Sequence, residues 1–167
     1  MKVINIHKRI IDRPISEIGQ LLHTLATDNY QIIATDKWPK MKLDNGLQIG
    51  SKGGHGPIRY FIADLELNKF VKFQFDMKGF EGFHKFEIME LGTEKTEIVH
   101  LIDMETSGIA TMKWLFAFRW LHDAFIEDAF DKVENRFRKD QKLSVWSTWV
   151  RMLRKVMKPK RKAKAHN

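Results

Sequence analysis

Residues 58–108 read IRYFIADLELNKFVKFQFDMKGFEGFHKFEIMELGTEKTEIVHLIDMETSG. Apolar and polar residues alternate in four runs, Ile58–Leu67, Phe70–Lys78, Phe83–Leu91 and Thr96–Ser107. Turn residues follow each run: Asn68, then Gly79 and Gly82, then Gly92–Thr93, then Gly108. Period-two runs at regular spacing with turn chemistry between them predict an antiparallel meander. Such a sheet, wet on one face, has to cover the other.

The flanking sequence supplies the cover. Residues 2–10 read as a strand, with Val3, Ile4, Ile6 and Ile10 among polar residues. Pro14 suits the first position of a helix, and Ile15, Ile18, Leu21, Leu22 and Leu25 recur at helical spacing through 14–26. A short second helical turn is expected around 27–33, then loop over 34–57 with one short strand near 47–52. After the meander, residues 109–139 predict one long helix. Trp114, Phe118, Leu121, Phe125, Ala129 and Val133 line one face, with Asp123, Glu127, Asp131 and Glu134 towards the other. The expected class is α+β: a curved antiparallel sheet of six or seven strands wrapped around a long C-terminal helix, with a cavity between them unless large side chains fill it.

Alternation assigns the faces. Phe61 shares a face with Ala63, Leu65 and Leu67, and Arg59 is in phase with them. Val71, Phe73, Phe75 and Met77 point in on the next strand, Phe86 and Ile88 with His84 on the third, and Ile98, Ile102 and Met104 with His100 on the fourth. Arg119 and His122 interrupt the apolar stretch of the helix. The expected ligand-lining set is therefore Arg59, Phe61, Phe73, Phe75, His84, Phe86, His100, Met104, Trp114, Phe118, Arg119 and His122. An apolar pocket with a few polar groups suits a hydrophobic or amphipathic small molecule. The competing reading is a set of core or rim residues hydrogen-bonded to backbone or water. The face assignment assumes no β-bulge, since one bulge reverses a face.

Length and composition agree with one globular body. The 167 residues are 43% hydrophobic and 30% charged. There is no cysteine, which excludes disulfides, thiolate metal sites and a cysteine nucleophile. MKVINIHKRI lacks the apolar centre of a signal peptide, and no apolar run approaches the ~20 residues that span a bilayer. The expectation is a cytoplasmic protein.

Four segments carry a family resemblance: Trp38-Pro39-Lys40-Met41, residues 53–60 (GGHGPIRY), residues 79–87 (GFEGFHKFE) and residues 121–129 (LHDAFIEDA). With the order of elements, they resemble the helix-grip fold of the SRPBCC (START-like) superfamily, and more closely a group of short, uncharacterised bacterial members. The resemblance spans about residues 1–139. It implies a deep cavity between sheet and C-terminal helix for an apolar or amphipathic ligand. The superfamily includes lipid-transfer domains and polyketide cyclases, so fold alone names no chemistry.

Individual motifs narrow this little. In Gly50-Ser51-Lys52-Gly53-Gly54-His55-Gly56-Pro57 the lysine precedes the double glycine and a strand follows, the reverse of a phosphate loop. A strand connection needing positive φ accounts for it better. His55 sits where a pocket mouth would be. His84 and His100 have the side chains for acid–base work, which keeps open a cyclase- or dehydratase-like enzyme. Glu87 and Glu105 have the opposite parity and do not orient them. No metal-ligand spacing is present, and His122 with Asp123, Glu127 or Asp128 forms no recognisable set. No cofactor motif is found.

The tail stands apart. Residues 1–140 contain 20 of the 29 basic residues and all 21 acids, a net charge of −1; residues 141–167 contain nine basic residues and no acid, +9. Leu143, Trp146, Val150, Leu153 and Met157 recur at helical spacing, widened by Trp149, Met152 and Val156. Arg151, Arg154, Lys155 and Lys158 lie across from them, and Lys160, Arg161, Lys162 and Lys164 follow Pro159. A cationic amphipathic helix with tryptophans suits an anionic membrane surface. Packing on the body or on a second subunit, and nucleic-acid binding by charge and stacking, remain the other readings. The division expected is 1–140 as the ligand-binding domain and 141–167 as a basic tail.

Overall fold

The computed structural model describes residues 1–157. Strand β1 (Lys2–Ile11) leads into helix α1 (Ile15–Gly19) and a 3₁₀ segment (Gln20–Thr24). The strands β2 (Lys42–Leu43), β3 (Lys52–His55), β4 (Ile58–Glu66), β5 (Phe70–Phe75), β6 (Phe80–Gly92) and β7 (Lys95–Thr106) follow. One long helical rod comes next: α2 (Ile109–Lys113), a π turn (Trp114–Phe118) and α3 (Arg119–Asn135). Helix α4 (Thr148–Met157) closes the described chain. The seven strands form one antiparallel sheet in the order β1-β7-β6-β5-β4-β3-β2, and the chain has the helix-grip fold.

The expected meander is present, with Asn68 at φ +70° between β4 and β5. The N-terminal strand pairs along its whole length with β7. Pro14 precedes α1 as its cap rather than opening it. The helix is shorter than the apolar spacing predicts, and residues 27–33 form bends instead of a second helical turn. The strand expected near 47–52 is displaced into β2 and β3. Gly56, at φ +53°, turns β3 into β4, which is the strand connection the glycines predict. At Gly82 (φ +141°) a Cβ would stand 2.3 Å from Asp103 O, so β6 and β7 approach there as no other residue permits.

The face of β4 is reversed. A bulge between Ile62 and Asp64 inserts Ala63, so Tyr60 and Ile62 point into the core before it and Leu65 after it. Arg59 is exposed, its guanidinium bonded to Gly56 O and Ile58 O, and Phe61 faces the outer side. Neither belongs to the expected lining.

The acids of the long helix are not simply its solvated side. They meet the inner face of β1. Arg9 contacts Glu127 (2.8 Å), Asp131 (3.0 Å) and Glu134, and Asp131 is buried. His7 lies between Asp123 (3.1 Å) and Glu127 (2.7 Å). This network seats the helix across the sheet, with Phe125, Ile126, Ala129, Phe130 and Val133 in the core beside it.

Candidate functional site

Between the sheet and the long helix lies a predominantly apolar cavity of about 810 Å³. That is within the range that encloses small ligands. Phe75 and Met77 reach it from the end of β5, Phe80, His84 and Phe86 from β6, and His100, Ile102 and Met104 from β7. Trp114 and Phe118 of the π turn, with Leu121, His122 and Phe125 of α3, form the opposite wall. His55, Gly56, Pro57 and Ile58 of the β3–β4 hairpin, with Lys37–Pro39 and Met41, line one end, where Arg154 and Met157 of α4 meet them.

Of the sequence-derived lining, Phe75, His84, Phe86, His100, Met104, Trp114, Phe118 and His122 are brought together here. Phe73 points inward but lies behind the wall, stacked on His84 at 4.8 Å. Arg119 turns outward, 3.9 Å from Asp123 and over the Trp120 ring, and takes no part.

Four imidazoles supply much of the polarity. His84 Nδ1 and His100 Nε2 are 3.3 Å apart, both rings buried. Burial above all, then the neighbouring imidazoles, holds both well below the ordinary histidine pKa. They are neutral at pH 7. One of the two facing nitrogens donates and the other accepts. Whichever does so, the outer nitrogens His84 Nε2 and His100 Nδ1 are left as one donor and one acceptor, and neither has a partner. His55 stacks on Phe125 at 5.0 Å and shares a hydrogen bond with Tyr60 Oη at 3.0 Å; burial pushes its pKa down to about 4. His122, 4.9 Å from His100 between ring centroids, is lowered by burial against the pull of Asp123.

The tail contributes a wall that its pattern does not reveal. Residues 141–147 are non-helical, so the helix begins later than the apolar spacing suggests. The indoles of Trp38 and Trp146 both donate to Asp128 Oδ2 at 2.8 Å, and Lys37 Nζ meets Asp128 Oδ1 at 2.7 Å. Trp38 and Trp146 meet edge to face at 5.5 Å, and Arg154 lies over both, 4.1 Å from the Trp38 ring and 4.2 Å from the Trp146 ring, and donates to Lys37 O. Trp146 and Arg154, expected at a membrane or another anionic partner, are thus bound to the body. Outside the expected set, Met77, Ile102, Leu121 and Phe125 lie on faces the sequence reads as inward, whereas Trp38, Met41, Ile58, Arg154 and Met157 come from segments whose partners are remote in sequence.

Arg151 and Lys155 remain exposed, as do Met152, Val156 (77%) and the half-open Trp149 ring. Trp149 Nε1 donates to Phe116 O at 3.0 Å, which places α4 beside the exposed side chains of the π turn. Ile109, Met112, Phe116 (57%) and Trp120 extend this outer apolar surface, flanked by Lys113 and Arg119. Lys158, Lys160, Arg161, Lys162 and Lys164 lie outside the described residues. No helix among the described residues is long and apolar enough to cross a membrane.

No family model matches the chain, and no curated protein matches its sequence. Solved structures do match. Norcoclaurine synthase from Thalictrum flavum, in complex with dopamine and hydroxybenzaldehyde, aligns with a TM-score of 0.62 at 10% identity, over 84% of this chain and 90% of that one. CalU16 from Micromonospora echinospora aligns at 0.57 and 13% identity, over 94% and 92%. The Aha1 dimer from Colwellia psychrerythraea aligns at 0.53 and 18% identity, over 79% and 96%. At these identities the likeness is one of architecture: the chain shares the helix-grip fold with them.

Proposed function

We propose that this protein binds an amphipathic small molecule, lipid-like in its apolar part, and meets an anionic membrane through the face that α4 shares with the π turn. The cavity carries the reading: an apolar space of about 810 Å³ in which a buried histidine pair offers one donor and one acceptor. The apolar part of the ligand lies among Phe75, Met77, Phe80, Phe86 and Phe118. Its hydroxyl or carbonyl meets His84 or His100. Charge complementarity supports the membrane part, since residues 141–167 contain nine basic residues and no acid.

The enzymatic alternative uses the same pair as acid and base. Their lowered basicity opposes it, because a general base works best with a pKa near the ambient pH.

Farnesol and decanoic acid, titrated into the full chain with tryptophan fluorescence as readout, test the cavity. Saturable binding that Met104→Trp weakens at least tenfold supports the reading; equal binding by the filled variant overturns it. Flotation with phosphatidylglycerol-containing and pure phosphatidylcholine vesicles tests the surface. Salt-sensitive flotation with the anionic vesicles, lost in Phe116→Ser/Trp149→Ser/Val156→Ser, is expected. No flotation, or no dependence on lipid charge, removes the membrane part.

A further inference from the structure

Beside the cavity, β1 brings His7 to two side chains of α3, His122 and Asp123, that lie more than a hundred positions away in sequence. We propose that His7, His122 and Asp123 form a site for one divalent transition-metal ion of the zinc or ferrous class. Each offers one ligand atom, and the three atoms lie within 4.8 Å of one another. His7 Nε2 is 3.1 Å from Asp123 Oδ1, and His122 Nδ1 is 3.6 Å from the same oxygen. Ligands about 2.0–2.2 Å from a shared ion stand roughly 2.9–3.4 Å apart, from right-angled to tetrahedral geometry. The His7–Asp123 separation falls in that interval, and His122 has to close on both of the other ligands to complete the set.

Two further observations point to an ion. Both ring nitrogens of His122 are buried without a hydrogen-bond partner, an arrangement that costs free energy unless something else engages them. His7 is braced from behind as a metal-bound histidine is: its Nδ1 is 2.7 Å from Glu127 Oε1, and Glu127 Oε2 is held by Arg9 at 2.8 Å. Two imidazoles and one carboxylate leave coordination positions open, the ligand set of catalytic zinc and of non-haem ferrous centres. His122 also lines the cavity, so the ion would stand in its wall, within reach of a ligand's oxygen. The competing account is a metal-free ion pair in which His7 bridges Asp123 and Glu127.

Cobalt(II), titrated into the full-length protein and followed by visible absorption, separates the two. One equivalent with the d–d bands of a four- or five-coordinate centre, displaced by zinc, is expected. His122→Ala and Asp123→Asn should each weaken binding at least 100-fold. Glu127→Gln, which touches no ion, should weaken it 10–100-fold. His23→Gln, altering a histidine bonded to Asn68 elsewhere on the surface, should change nothing. Circular dichroism checks that each variant folds; should either ligand variant unfold, Glu127→Gln decides. No d–d spectrum with wild type, or wild-type affinity in the folded variants, overturns the site. Either result leaves the proposed cargo of the cavity standing, since farnesol binding is measured without metal.

Discussion

Replacing Asp128 with alanine should release the tail from the body. The carboxylate is 1% exposed and accepts three donors, the indoles of Trp38 and Trp146 and the ammonium of Lys37. Without it, two indole N–H groups are stranded in a largely apolar setting at about 1–3 kcal/mol each. Lys37 is partly exposed and regains water, so it adds little. The expected loss is about 2–6 kcal/mol. Part of it can be avoided by local undocking of residues 141–157, because α4 meets the body through few elements. Urea unfolding followed by tryptophan fluorescence measures the global part. Trypsin cleavage at Lys142, Arg151 and Lys155 measures the local part. Asp128→Asn keeps one carbonyl oxygen for both indoles and should lose about half as much. Arg154→Ala, which removes the cation over the same two rings, should be non-additive with Asp128→Ala. Unchanged urea midpoint and unchanged cleavage of the tail in Asp128→Ala would refute the reasoning.

Other outcomes follow from the same geometry. His55, with its pKa about 4 when folded and near 6.5 when unfolded, leaves stability intact above pH 6.5 and removes it as pH falls towards 4; at pH 5 the loss is about 2 kcal/mol, and His55→Gln should flatten the wild-type stability curve by that amount. Parallel curves for the two proteins would refute this. Arg9→Met should cost about 3–5 kcal/mol in urea unfolding, because it leaves the buried carboxylate of Asp131 without its cation. Gly82→Ala should shift the β6–β7 pairing at Met104 and lower the thermal midpoint by several degrees, since its methyl meets Asp103 O and the Met104 Cα. An unchanged midpoint would show that the hairpin yields freely there.

The sheet was legible because alternation and turn residues are local signals. His84 and His100 were placed correctly by parity, since β6 and β7 stay in continuous register through Phe80–Glu90 and Thr96–Thr106. The same rule failed for Arg59 and Phe61. One inserted residue, Ala63, separates two stretches of opposite phase, and nothing in IRYFIADLE marks it. Arg119 failed for a simpler reason: one position past Phe118, it is turned about 100° round the helix from the Trp114–Phe118–Leu121–Phe125 face. Irregularities of one residue carry little sequence signature, yet each decides which side chain faces the cavity. What stayed wholly illegible depends on long-range pairing: His7 with Asp123, and Asp128 with Trp38 and Trp146.

The tail shows why an amphipathic pattern is insufficient. Its spacing predicts a helix and an apolar stripe, and both exist within Thr148–Met157. The pattern does not say which cations face solvent. Arg154 falls on the nominally wet face, yet two indoles and a backbone carbonyl take it, because a guanidinium stacks on aromatic faces as an ammonium does not. Helix α4 consequently has two working sides. Arg154 and Met157 line the cavity, while Trp149, Met152 and Val156 turn outward. On the proposed reading these sides are mechanically linked. The outer face exists only while α4 stays docked beside Phe116, and the docking rests on Arg154 over Trp38 and Trp146 and on Asp128 bonded to both indoles. Membrane contact and the wall of the cavity would then depend on the same docked helix, with Asp128 as its anchor.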